Sequence, residues 1–142
     1  SVQSAAGVRL AGKYGASVLS MSVPDRLVRD VTLKDLWAVA EDSAEEHGKT
    51  VRREDWGLVV AVHLAESRKE AIEDVRMGGA RLITEYFGNT LGHSVPDCPF
   101  EQIVDYMVDN GSWIVGTPDD CVEGIKRLDE ISGQPKKTLL KG

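Results

Sequence analysis

Four places in this 142-residue sequence carry side chains able to do chemistry. They are the Gly116-Thr117-Pro118-Asp119-Asp120 turn, the hydroxyls of Ser1 and Ser4, the imidazole of His63, and the thiols of Cys98 and Cys121. A Gly-Thr-Pro turn between an apolar run and a helical pattern leaves free amides at a helix start, and such amides attract phosphate. No P-loop lysine follows Thr117, however, and Asp119 and Asp120 repel an anion while complementing the helix dipole. The turn therefore reads as a cap, with Thr117 accepting from first-turn amides and Pro118 placed where no amide bond is lost. Cys98 and Cys121 stand far apart without paired zinc spacing, so they are expected to be free thiols and poor nucleophile candidates. His47, His63 and His93 are scattered, which discounts a metal hydrolase and leaves no expected metal.

The elements that must position these groups follow from periodicity. Trp113, Ile114 and Val115 form a short buried strand; Val122, Ile125, Leu128 and Ile131 then mark one face of a helix that Gly133 ends. Trp56 to Leu64 is nearly continuous in apolar residues, as expected of a strand covered on both faces. Ala16 to Met21 is a third, shorter strand, closed by Val23-Pro24-Asp25 and a loop to Asp30. Helices are expected from Ser4 to Gly15, from Thr32 through Trp37 to His47-Gly48, and from Ser67 through Val75 toward Phe87, with Gly78-Gly79 as a point of interruption. The Glu41, Asp42, Glu45 and Glu46 face reads as solvated. Gly88 to Pro99 reads as a loop with His93 exposed, and Phe100 to Val108 as a further helix ended by Asn110-Gly111. Three strands that each precede helical sequence signal a right-handed parallel α/β layout. Three are too few to close a barrel, which takes about 250 residues, so sheet edges are left open.

Composition narrows the partners. With 42% hydrophobic and 28% charged residues and a net charge of -6, the chain is an ordinary acidic domain without a basic surface for nucleic acid or an anionic membrane. No run reaches the roughly 18 apolar residues of a membrane span, so a cytoplasmic location is expected. The start at Ser1, in a turn-like stretch, is expected of a fragment.

Three stretches carry a resemblance: Ser4-Ala-Ala-Gly7 with Leu10-Ala-Gly-Lys-Tyr-Gly15, Val62-His-Leu-Ala-Glu-Ser67 with Glu70-Ala71, and Ile114-Val-Gly-Thr-Pro-Asp-Asp120. In this order and spacing they resemble the C-terminal part of the luciferase-like flavin-dependent monooxygenases over Ser1 to Gly133. The resemblance implies the C-terminal part of a TIM-type (β/α)8 barrel, with three parallel strands alternating with helices, residues 1–133 as a partial monooxygenase domain and 134–142 as a tail. It further implies reduced FMN that activates O2 against a small organic substrate, a flavin reductase as partner, and a deazaflavin as the alternative cofactor. Matched to the family's phosphate-binding turn are Ser1, Gln3, Ser4 and Ala5, although family members usually carry proline where Ala5 stands. By residues alone Ser4 is a helix cap; with the resemblance it is a phosphate contact. His63, near the C-terminal end of its strand, reads first as a structural histidine, since no carboxylate or cysteine lies at useful local spacing for a relay or metal site, and is carried second as a substrate-pocket candidate. The non-catalytic alternative is a truncated barrel that self-associates through its open edges, and a homo-oligomer is expected.

Overall fold

The computed structural model describes residues 4–22, 32–132 and 137–141; Ser1, Gln3 and the Asp25 to Asp30 loop lie outside the described residues. Helix α1 (Ala5–Tyr14) is capped by Ser4, whose hydroxyl accepts from the Gly7 amide, and ends at Gly15 in the left-handed conformation. Strand β1 (Leu19–Met21) follows, then α2 (Leu33–Glu46) behind a complete Thr32/Asp35 capping box. Strand β2 (Gly57–Leu64) leads to α3 (Arg68–Arg81), capped by Ser67. Helix α4 (Ile103–Asp109), strand β3 (Trp113–Gly116), helix α5 (Pro118–Ser132) and strand β4 (Lys137–Lys141) complete the order.

All strand pairs are parallel and all involve β2. Their arrangement follows from the backbone bonds. The Gly57 amide donates to Val18 O and the Ser22 amide to Val59 O on the β1 side, while the Ala65 amide donates to Gly116 O on the β3 side. Backbone groups alternate between the two edges of a strand, so odd-numbered residues address one edge, and β1 and β3 line that edge end to end. A bond from the Ser22 hydroxyl to Ser112 O joins them at 2.7 Å. Strand β4 pairs with Gly57 to Ala61, residues that overlap those paired to β1, and therefore holds the opposite edge. The three staves standing side by side are thus β1, β2 and β4, with β3 an extension at the C-terminal end. The 134–142 stretch, expected as a tail, supplies one of them.

The faces of β2 differ. Leu58 and Val60 are fully buried in a core with Val8, Leu36, Trp37 and Leu128, drawn from α1, α2 and α5, and with Trp56, which directly precedes β2. Trp37 stacks on Trp56 at 5.5 Å, Arg53 lies over both rings, and the Trp56 indole donates to the buried Ser20 hydroxyl at 3.0 Å. Gly12 lets α1 and α2 meet: a Cβ there would lie 2.9 Å from that of Ser43, whose own hydroxyl donates to Arg9 O. On the odd face Val59 and His63 are only half-buried and Ala61 is exposed, so the expectation of two covered faces holds for one. The odd face is covered in part by α3, whose Gly79 lies against Trp113, and otherwise opens onto grooves.

Helix α3 runs through Gly78-Gly79 without a break and changes to a π-helix over Leu82–Thr90. A second core forms beneath it from Ala71, Ala80, Ile83, Val104, Met107 and Trp113. His93, expected exposed, is half-buried with its ring 6.1 Å from that of Phe87.

Candidate functional site

The helices fix which end of the sheet carries the polar groups. At the foot of α1, Gly15 lies against Lys49, which precedes β2, and the Arg53 guanidinium donates to Ser132 O at the end of α5. Helices α1, α2 and α5 therefore run antiparallel to the strands, and their N-termini gather at the strands' C-terminal end. That is the end at which (β/α) barrels place their sites. Ser4, Thr32, Thr117 and His63 all stand there.

Of these, the Thr117 turn is closed to an anion by its own helix. Asp120 accepts from the Thr117 amide at 2.7 Å and from its hydroxyl at 2.9 Å, and the Asp120 amide donates back to Thr117 Oγ1 at 3.3 Å. These bonds, with Arg68 nearby, hold the Asp120 carboxyl below its ordinary range. The capping reading of this turn is what the geometry displays.

Helix α1 differs. The Ser4 hydroxyl accepts from the Gly7 amide at 3.3 Å, as the cap reading requires, but the first turn holds no acidic residue, whereas Asp35, Glu70 and the Asp119-Asp120 pair occupy that place in α2, α3 and α5. Among the described residues no carboxylate competes for the hydroxyl hydrogen of Ser4 or the leading amides of α1. Ala5 is the first helical residue.

His63 lies at the other side of the same end, and the structure gives it a partner that local spacing does not reveal. Its Nε2 is 3.0 Å from Oδ2 of Asp74, on α3, a geometry in which the ring N–H donates and the carboxylate accepts. Both line a groove of about 350 Å³ together with Ala61, Gly79, Leu82 and Trp113. A second groove of about 220 Å³ shares Ala61, Leu82 and Trp113 and continues to Met21, Val59 and Phe87. Asp74 sits eleven residues after His63 on a different element, so only the chain reversal between β2 and α3 brings them together; a strand-end histidine followed by a capped helix carrying an acid is the signal available in sequence.

Among the described residues no cluster of histidine, cysteine or carboxylates is arranged to hold a metal, and no helix is long and apolar enough to cross a membrane. Cys121 is buried and Cys98 half-buried, with burial and then Asp97 pushing the Cys98 thiol above its ordinary range. A raised thiol is a weak nucleophile at neutral pH, in line with the sequence reading.

No family model matches the sequence. The chain is 38% identical over 131 residues to 4-hydroxyprotoasukamycin monooxygenase of Streptomyces nodosus subsp. asukaensis, and 38% identical over 135 residues to limonene 1,2-monooxygenase of Rhodococcus erythropolis. These matches cover 89% and 94% of the chain but 35% and 34% of the relatives, so the chain spans about a third of their length. Among solved structures, the oxygenating constituent of 3,6-diketocamphane monooxygenase from Pseudomonas putida, a type II Baeyer-Villiger monooxygenase in complex with FMN, superposes with a TM-score of 0.66 at 25% identity. That match covers 95% of this chain and 38% of the other. The parallel strands, the helix polarity and these matches make the chain similar to a segment of flavin-dependent monooxygenases, as expected of the C-terminal part of a luciferase-like barrel.

Proposed function

We propose that this chain forms part of a flavin-dependent monooxygenase that uses reduced FMN and O2 on a small organic substrate. The observation that carries the reading is the pairing, at one end of the sheet, of a helix start free of carboxylates with an apolar groove holding a single histidine. The first suits an anion and the second suits an uncharged small molecule. Ser4 and the leading amides at Ala5 would hold the flavin phosphate, with Ser1 and Gln3 beside them in sequence. When bound, the flavin supplies the oxygen chemistry. The chain's own part is to bind the phosphate, hold the substrate against the odd face of β2 through His63, and keep water from the apolar walls. FMN is preferred to a deazaflavin because a solved relative at 25% identity holds FMN. A separate flavin reductase supplies the reduced cofactor in this reading, with residues 1–133 belonging to one domain to which β4 is added, in the cytoplasm.

The test is oxygen-18 incorporation. Protein, photoreduced FMN and a panel of alicyclic ketones and alkenes are mixed under labelled O2, and products are weighed. Transfer of one labelled atom into an organic product supports the reading; consumption of oxygen to peroxide and water alone rejects it.

A second reading has its own observation. Among the described residues the outer edges of β1 and β4 pair with no strand, and such edges recruit other chains. In that reading the chain is a non-catalytic fragment that self-associates.

A further inference from the structure

The two grooves share Ala61, Leu82 and Trp113 and make one trench along the odd face of β2, from Val59 and Phe87 at one end to His63 and Asp74 at the other. Its polar side chains are few. The Ser22 hydroxyl already donates to Ser112 O, and Asp74 accepts from His63. With Nε2–H given to Asp74, a ring carrying that one proton offers Nδ1 as an acceptor, for which no partner stands among the described residues. The opposite wall comes from Asp74, Val75, Gly78 and Gly79 of α3 and from the π-helix that continues it. Its i→i+5 winding brings Leu82 and Phe87 back to one side, whereas at 3.6 residues per turn they would diverge by about 140°. A π segment in a helix is often found at a functional site, and here it lines the trench.

We infer that the trench takes an uncharged, mainly apolar molecule bearing one hydroxyl group, which donates to Nδ1 of His63, and that Asp74 is a positioning residue fixing the tautomer that leaves Nδ1 open. The inference rests on reading the groove as the substrate side of the flavin site. A ring nitrogen whose partner N–H is held by a carboxylate is an oriented acceptor. The same carboxylate disfavours an anionic ligand.

The test is fluorine NMR titration of the chain with three probes of similar ring: 4-fluorobenzyl alcohol, 4-fluorotoluene and 4-fluorobenzoate. The alcohol is expected to bind about three- to tenfold more tightly than the toluene, the span of one net hydrogen bond, and the benzoate most weakly. His63→Phe keeps the toluene and loses the preference for the alcohol. Nitrogen-15 spectra of His63 are expected to show one Nε2–H tautomer, a mixture in Asp74→Ala, and the single tautomer again in Asp74→Glu. Equal affinities for alcohol and toluene, a preference unmoved by His63→Phe, or a tautomer indifferent to Asp74 overturns the assignment. FMN is titrated into the same unsubstituted sample. Alcohol preference without FMN binding rejects the flavin reading and leaves this assignment standing, and FMN binding without the preference does the reverse.

Discussion

At the scale of single residues, neighbouring glycines separate space from propensity. Gly78 and Gly79 both lie inside α3, where alanine is favoured over glycine by about 1 kcal/mol. A Cβ on Gly78 meets nothing within 4 Å, whereas one on Gly79 would come 2.7 Å from Cζ3 of Trp113 and 2.9 Å from Cγ2 of Val104. Gly78→Ala is expected to raise stability by about 0.5–1 kcal/mol, and Gly79→Ala to lower it by about 1–3 kcal/mol, both read from urea midpoints. The Thr117/Asp120 cap gives a second prediction, with a sign fixed by linkage. The folded Asp120 carboxyl titrates below its ordinary 3.8, so its contribution is whole above that value and disappears as pH falls through the folded one. Asp120→Asn should therefore lower the urea midpoint at pH 7 by more than it does at an acid pH below 3.8. A gap of equal size at both pH values would mean that the charged carboxylate is not what the cap uses.

At the scale of elements, what was legible in the sequence is what local chemistry determines. Ser4, Thr32, Ser67 and Thr117 start their helices because each hydroxyl reaches an amide three residues on, a bond needing no distant partner. The extent of β2 was equally clear from its apolar run. Its partners were not, since parallel pairing is set between segments far apart, and the stretch after Gln134 carries no periodicity of its own. Yet β4 there takes a whole edge of β2. The π-helix was hidden for a related reason: apolar spacing over Leu82 to Phe87 suits helix in general, and only packing over the trench selects the wider winding. Asp74 is not legible from local spacing, because only the reversal between β2 and α3 brings it to His63. If β4 is the third stave, ending the chain at residue 132 should expose that edge, lower the urea midpoint and increase aggregation of the refolded chain. An unchanged midpoint would show that β4 adds little to the sheet.

At the scale of the whole molecule, one end of the sheet gathers Ser4, Thr117 and His63 and opens onto the groove at His63, while the Arg53, Trp37 and Trp56 stack lies toward the other. The flavin account makes the open end do two jobs, phosphate at α1 and substrate at His63, and the phosphate half can be tested without knowing the substrate. Ala6 is exposed in the first turn of α1, so Ala6→Asp puts a carboxylate where the phosphate would lie, at a position where negative charge supports the helix by about 0.3–1 kcal/mol. Failure to fold is thereby removed as an explanation. The measurement is a fluorescence titration of FMN and of riboflavin, which lacks the phosphate, into the unsubstituted protein and Ala6→Asp. FMN should bind at least about tenfold more tightly than riboflavin, since one phosphate at a helix start makes several charge-assisted bonds, and Ala6→Asp should erase the difference while leaving riboflavin unchanged. Equal binding of the two flavins, or an FMN preference that survives Ala6→Asp, would contradict the placement of the cofactor at α1.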